Sequence, residues 1–180
     1  MTEPPTITAS ELAQHLSQQR NHLMSRTQPA MPLALYSRGV ALTPAPGTLA
    51  PARLVAPYYQ KGWDGERGGF YYTVGWDGKP SVPDRFWWPC CEGIGAAHFL
   101  ASITGDPFYE NWYRRIWDFT TDHMIDRATG AFIPQLDAED RSATNPFFGR
   151  PDIYHSVQAC LIPLLPTSGS LVNGLMTEGI

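Results

Sequence analysis

The stretch "TGDPFYENWYRRIWDF", Thr104 to Phe119, constrains this chain more than any other. Asp106 is an N-cap residue, and Pro107 stands at the first helical position, where a missing N–H costs nothing. A helix therefore starts here. Within it Phe108, Trp112 and Ile116 recur at i, i+4, and Tyr109, Tyr113 and Trp117 repeat the pattern one residue on. Together they make an apolar face more than two turns long, which has to be buried against other elements.

The neighbouring segments read as helices too. Pro89 suits the first turn of a helix running to about Thr104, with Ile94, Ala97, Leu100 and Ala101 along it. Asp152 is an N-cap for a last helix that should stop near Pro163. Further upstream, Ser10 caps a short helix over residues 10–26 with a thin stripe of Leu12, Leu16, Leu23 and Met24. Between that helix and Gly62, four prolines from Pro44 to Pro57 argue against a long helix and read as a linker or an irregular connection. "GGFYYTVGWDGKPSVPDR" carries a hairpin signal: Phe70–Val74 is β-prone, Asp77-Gly78 turns, and Ser81-Val82 returns. "DRATGAFIPQLDAEDRS" reads as turns around a short extended piece. No internal repeat is convincing at the residue level. The expected fold is mainly α with a small β-hairpin on one side.

Composition removes several function classes. The 180 residues are 43% hydrophobic, enough for a real core. A net charge of -4 argues against nucleic acid as a partner, since phosphate binding needs a basic face. No apolar run reaches the roughly 18 residues of a membrane span, and "MTEPPTITASELAQ" has neither the basic start nor the apolar core of a secretory signal. Three cysteines, two of them adjacent, suit reduced thiols in a cytoplasm. Six Trp, eight Tyr and eight Phe are the unusual feature. Such rings fill cores, and they also cover the C–H faces of sugars.

Two clusters carry chemistry. In "RPDIYHSVQACL", His155 and Gln158 lie three apart on one helix face that Ala159 and Ile162 continue inward. A helix N-terminus disfavours positive charge, and a neutral imidazole is what a general base needs. The other reading is a core histidine bonded to a backbone carbonyl. In "DRFWWPCCEGIGAAHFL", Trp88 and Glu92 lie four apart and share a face, so an indole stands beside a carboxylate, as sugar sites require. Core tryptophans with a helix-start glutamate are the alternative. Weaker candidates follow. Cys90-Cys91 with His98 lacks metal-ligand spacing. Asp137, Glu139 and Asp140 match the paired carboxylates of a glycosidase in type but read as a solvated turn. His98 and His123 read as ordinary helix residues. No nucleotide-binding glycine loop is present.

The segments "GWDGERGGFYYTVGWDGKPSVPDRFWWPCCEGIGAAHFLASITGDPFYENWYRRIWDF" and "GRPDIYHSVQACLIPLLPTSGSL" resemble the C-terminal part of the N-acylglucosamine 2-epimerase family, closest to its aldose–ketose isomerase branch acting on mannose and sulfoquinovose. The resemblance runs from about Pro51 to Leu171. It implies an (α/α)6 toroid with a sugar in the central funnel, and catalysis without metal or redox cofactor. It makes His155 the acid/base residue, Trp88 and Glu92 the lining of the sugar pocket, and Arg85 and Asp152 residues that shape or orient it. Trp87 occupies a place where some members have His and others Trp.

The implied domain organisation is an irregular N-terminal segment with one short helix over residues 1–50, part of the toroid over 51–172, and a tail over 173–180. A hairpin with its loops takes about 30–40 residues, from helices of ~10–14 and connections of ~4–6. The matching region then holds three or four at most. The resemblance also places a second acid/base histidine in a part of the family that this chain does not match. Three accounts follow: a fragment, a ring closed by a second copy, or a relative that has lost catalysis. An open ring would expose helix faces such as the Trp112/Trp117 surface, which predicts self-association.

Overall fold

The structure is a computed structural model that describes residues 49–75, 77–144, 150–165 and 174–176, and the side chains of 49–55 lie outside that description. The helix expected over 10–26, nearly all of the N-terminal segment, and most of the tail also lie outside it. Helix α1 spans Leu49–Gly62. Strands β1 (Thr73–Val74), β2 (Pro80–Val82) and β3 (Arg85–Phe86) precede α2 (Trp87–Thr104). After α2 come α3 (Pro107–His123), β4 (Gln135–Leu136) and α4 (Ile153–Leu161), which ends in a 3-10 turn at Ile162–Leu164.

Helix α1 overturns the expectation of an irregular connection from Leu49 to Pro57, while Pro44 and Pro46 lie outside the described residues. Pro51 falls in its first turn, where the N–H has no intrahelical partner to lose. Pro57 is internal but stands on the exposed side, where water can take up the carbonyl it leaves unpaired. The capped starts agree with expectation: Asp106 accepts from the Phe108 amide at 2.9 Å ahead of Pro107, and Asp152 from the His155 amide at 3.1 Å. The hairpin forms over a shorter span than the β-prone run: Thr73 pairs with Val82 and Val74 with Pro80. Phe70 is instead bridged to Trp63.

A repeat invisible in residue identities is clear in the backbone. Trp63 bridges Phe70, and Ile125 bridges Phe132, each closing a loop that an aspartate opens and a left-handed glycine turns. Asp64 N donates to Gly69 O and Asp126 N to Ala131 O, both at 2.9 Å; Tyr71 N donates to Gly62 O and Ile133 N to Met124 O, both at 2.8 Å. Each aspartate Oδ1 accepts from the amide two residues on, Glu66 or Ala128. After each loop the chain enters a short strand, and β3 and β4 pair antiparallel through Arg85–Leu136 and Phe86–Gln135. The described residues thus hold two copies of one unit: a helix (α1, α3), an aspartate loop, a strand (β3, β4) and a second helix (α2, α4).

Helix α2 is the hub. It packs on α3 along one side and on α4 along another, and most of it is buried. Trp112, Ile116 and Phe119 of α3 enter a core with Tyr59, Trp63 and Phe70, where Tyr59 stacks on Trp112 at 5.1 Å and Trp63 meets Phe70 edge-on at 5.0 Å. Trp112 is therefore buried, and the Trp112/Trp117 surface is not the face this molecule leaves open. Gly93 permits the close approach: a Cβ there would lie 2.8 Å from the Phe70 ring. No helix among the described residues is long and apolar enough to cross a membrane.

Candidate functional site

The two chemistry-bearing clusters meet where the N-terminal turns of α2 and α4 come into contact. Helix α2 delivers Trp88 in its first turn and Glu92 in its second, and α4 delivers His155 and Gln158. The α2–α4 contact brings His155 Nδ1 to 2.7 Å from Glu92 Oε1. A carboxylate only accepts, so in the neutral ring this bond assigns the proton to Nδ1 and leaves Nε2 with its lone pair. Glu92 is fully buried, whereas the His155 side chain keeps 14% of its surface exposed. The carboxylate is thus the hidden member of the pair and the imidazole the accessible one.

Aromatic rings frame the imidazole. Trp88, half-buried, lies 6.0 Å from it at a tilt of 36°, and the buried Trp87 stands edge-on at 6.3 Å. Tyr154, 45% exposed, lies 4.5 Å from His155, and Tyr72 meets Trp88 edge-on. Asp152 combines two positions: its Oδ1 caps α4, and its Oδ2 lies 3.9 Å from His155 Nε2. A polar molecule beside His155 would meet a lone pair, a carboxylate and indole surface.

Arg85 does not join this cluster. Its guanidinium is buried in the framework, paired with Asp64 and bonded to the carbonyls of Gly68, Pro83 and Asp137. Burial pushes the Asp64 carboxyl up, but the amides of Arg67 and Glu66 and the Arg85 charge outweigh it and hold it below the ordinary range. Arg85 therefore ties the first aspartate loop to β3 and to the turn after β4. That turn holds Asp137, which accepts from the Glu139 and Arg141 amides, and Asp140, which pairs with Arg85 and Arg67. Its carboxylates serve the turn and the framework.

The remaining titratable groups lie elsewhere. His98 packs on Tyr113, and burial lowers its pKa against an opposing pull from Glu110. His123 stacks on Phe119. Burial pushes the Cys90 thiol up to about 12 and the Cys91 thiol higher still. Among the described residues no cluster of His, Cys, Asp or Glu is arranged to hold a metal ion. Sequence reasoning placed Gln158 on the right face without making it a site residue. It missed Tyr154, whose only local signal is its place beside His155.

The model of the N-acylglucosamine 2-epimerase (GlcNAc 2-epimerase) family matches residues 33–159. The chain belongs to this family. Among epimerase-family relatives, a D-mannose isomerase of Thermobifida fusca is 39% identical over 124 residues, and one of Pseudomonas cannabina pv. alisalensis is 36% identical over 124 residues. These alignments take in 66% and 68% of this chain but only 30% of either relative. A crystal structure of D-mannose isomerase superposes with a TM-score of 0.68 and 29% identity, covering 76% of this chain and 36% of that one. Cellobiose 2-epimerase from Bacillus thermoamylovorans B4167 superposes at 0.58 with 13% identity over 76% of this chain and 37% of that one, a likeness of fold alone. The two repeated units are thus part of an epimerase-family (α/α)6 toroid, and the chain spans about 30% of the length of the relatives it matches.

Proposed function

We propose that this chain carries the histidine side of an aldose–ketose isomerase site of the mannose/fructose type, with His155 as the proton-transfer residue. The observation that carries this reading is the 2.7 Å bond from His155 Nδ1 to the buried Glu92, which in the neutral ring leaves the Nε2 lone pair as a base beside Asp152, on a side chain that keeps 14% of its surface exposed. Isomerisation of an open-chain aldose removes the C2 proton while the C1 carbonyl oxygen gains one, giving an enediol. Delivery of a proton to C1 and loss of the O2 proton then give the ketose. Nε2 is suited to the carbon-to-carbon transfer. Glu92 holds the tautomer and stabilises the imidazolium formed midway, and Trp88 offers a ring to the sugar's C–H face. Epimerisation at C2 begins with the same deprotonation. No metal or redox group enters any of these steps. The three free cysteines, two of them buried, fit a reducing cytoplasm.

A second reading rests on the Trp88 ring and the Asp152 carboxylate beside His155, groups able to hold a sugar without turning it over. In that reading Trp88, Glu92 and His155 form part of a carbohydrate-binding remnant without turnover. Self-association belongs to either reading, and we place it on α4. Ile153, Val157, Cys160 and Leu164 recur there at helical spacing on the exposed side. The same helix flanks a cleft of about 850 Å³ against Thr129–Pro134. In the first unit the equivalent loop, at Gly68 and Gly69, is covered by Phe119 of α3. A second copy covering the cleft would complete that pattern.

The deciding experiment is proton NMR of the purified chain with D-mannose in deuterated buffer, with His155→Ala as control. Deuterium at C2, fructose appearing and a silent control support the isomerase reading. If mannose, sulfoquinovose and N-acetylmannosamine all stay unexchanged with a folded protein, the binding remnant stands.

A further inference from the structure

We propose that Gln158 is a positioning residue, whose side-chain amide fixes the Glu92 carboxylate so that one oxygen faces His155 Nδ1. This inference deepens the reading of His155 as the acid/base and rests on it. Gln158 Nε2 lies 3.5 Å from Oε1 and 3.4 Å from Oε2 of Glu92, two long contacts that sit astride the carboxylate in place of one short bond to either oxygen. Among the described residues, the hydrogen-bonding side chains that Glu92 meets are His155 and Gln158. Glu92 is fully buried and Gln158 is 6% exposed, so water does little to hold the group in place.

A buried carboxylate with one strong bond is free to rotate about its last torsion and is poorly compensated on its second oxygen. A neutral amide meets both needs. It offers N–H donors to the carboxylate without the full positive charge that would neutralise Glu92 and weaken its hold on the imidazole. Gln158 also follows His155 on the same face of α4, so one rigid element sets the acid/base and the clamp on its partner together.

The test reads the tautomer of His155 by ring-nitrogen NMR, which needs no turnover. In the parent chain, at a pH high enough to leave the ring neutral, the signal of His155, assigned by its loss in His155→Ala, should show a single form protonated at Nδ1. In Gln158→Leu the ring should become a mixture of the two tautomers, with an unchanged backbone amide spectrum away from the site. Gln158→Met, which fills similar space without an amide, is read in the same way should the leucine variant fail to fold. Where the parent turns over sugar, kcat should fall about tenfold with KM little changed. A single Nδ1-protonated ring in both variants would overturn the assignment, and so would a parent ring protonated at Nε2. Absence of turnover would sink the isomerase reading while leaving this readout intact.

Discussion

His155 and Glu92 are 63 residues apart in the chain, yet their 2.7 Å bond joins the first turn of α4 to the second turn of α2. It commits Nδ1 of the imidazole to the buried carboxylate and leaves Nε2 with Asp152 Oδ2 at 3.9 Å as its nearest charged neighbour. Two substitutions separate charge from shape. Glu92→Gln keeps the volume but offers Nδ1 a neutral acceptor in place of an anion. Exchange at the sugar C2 should fall at least tenfold, with about 1–3 kcal/mol lost from stability. Glu92→Ala also leaves a cavity and an unpaired ring nitrogen, and should lose exchange altogether. Deuterium incorporation and urea titration measure both effects; equal exchange in the glutamine variant and the parent would remove Glu92 from the chemistry.

The Arg85–Asp64 pair predicts acid sensitivity. Asp64 is held below its ordinary value of 3.8 in the folded chain. Its contribution is complete above that value and is lost as pH falls through the lower folded one, because the unfolded chain then binds the proton more readily. Arg85→Met removes the guanidinium while burial still raises the carboxyl. The variant should lose about 1–3 kcal/mol at neutral pH, since Asp64 loses its charged partner but keeps the Glu66 and Arg67 amides. It should also begin to unfold at a higher pH than the parent when followed by far-ultraviolet circular dichroism. Superposable acid titrations would show that the pair contributes nothing.

What the sequence reveals here divides along the range of the interactions. The starts of α3 and α4 were legible because Asp106 and Asp152 bond amides two or three residues away. Trp88, Glu92 and His155 were each legible as helix-face residues, but their meeting was legible only through the family resemblance, since from spacing alone it depends on how α2 and α4 pack. Helix α1 was hidden by counting prolines without their register: Pro51 lies in the first turn and Pro57 on the exposed side. The repeat was hidden because it lives in hydrogen bonds, and the two loops share little beyond Asp64/Asp126, Gly68/Gly130 and Phe70/Phe132. Arg85 was drawn toward the sugar site by its neighbours Trp87 and Trp88. Its partner Asp64 lies 21 residues upstream in a loop that reads locally as a turn.

The cysteines report both burial and the proposed association. Cys90 and Cys91 are buried, with thiols raised to about 12 and beyond, so neither should react at pH 8 in the folded chain. Cys160 is exposed on α4 and should react alone, giving one labelled thiol per native chain and three in denaturant. If a second copy covers α4, labelling of Cys160 should slow as protein concentration rises through the micromolar range, in step with the sedimentation coefficient. A rate independent of concentration, with a monomer in sedimentation, would count against the pairing.

Gly93 tests whether the α2 hub is as tightly packed as the aromatic contacts indicate. A Cβ at this position would lie 2.8 Å from Cε2 of Phe70 and 3.2 Å from Cδ1 of Ile116, while its carbonyl accepts the Tyr59 hydroxyl at 2.9 Å. Alanine is the better helix former by about 1 kcal/mol, so propensity alone favours the substitution. The clash opposes it. Phe70 is bridged to Trp63 and hemmed in by Tyr59 and Trp112, so it has little room to withdraw. Overpacking of this kind costs about 1–3 kcal/mol, which outweighs the propensity gain. Gly93→Ala should therefore lower the denaturation midpoint. It should also displace α2 relative to α3 and, through the same helix, loosen the Glu92–His155 bond one residue away. A variant as stable as the parent would mean that the core yields where these contacts say it cannot.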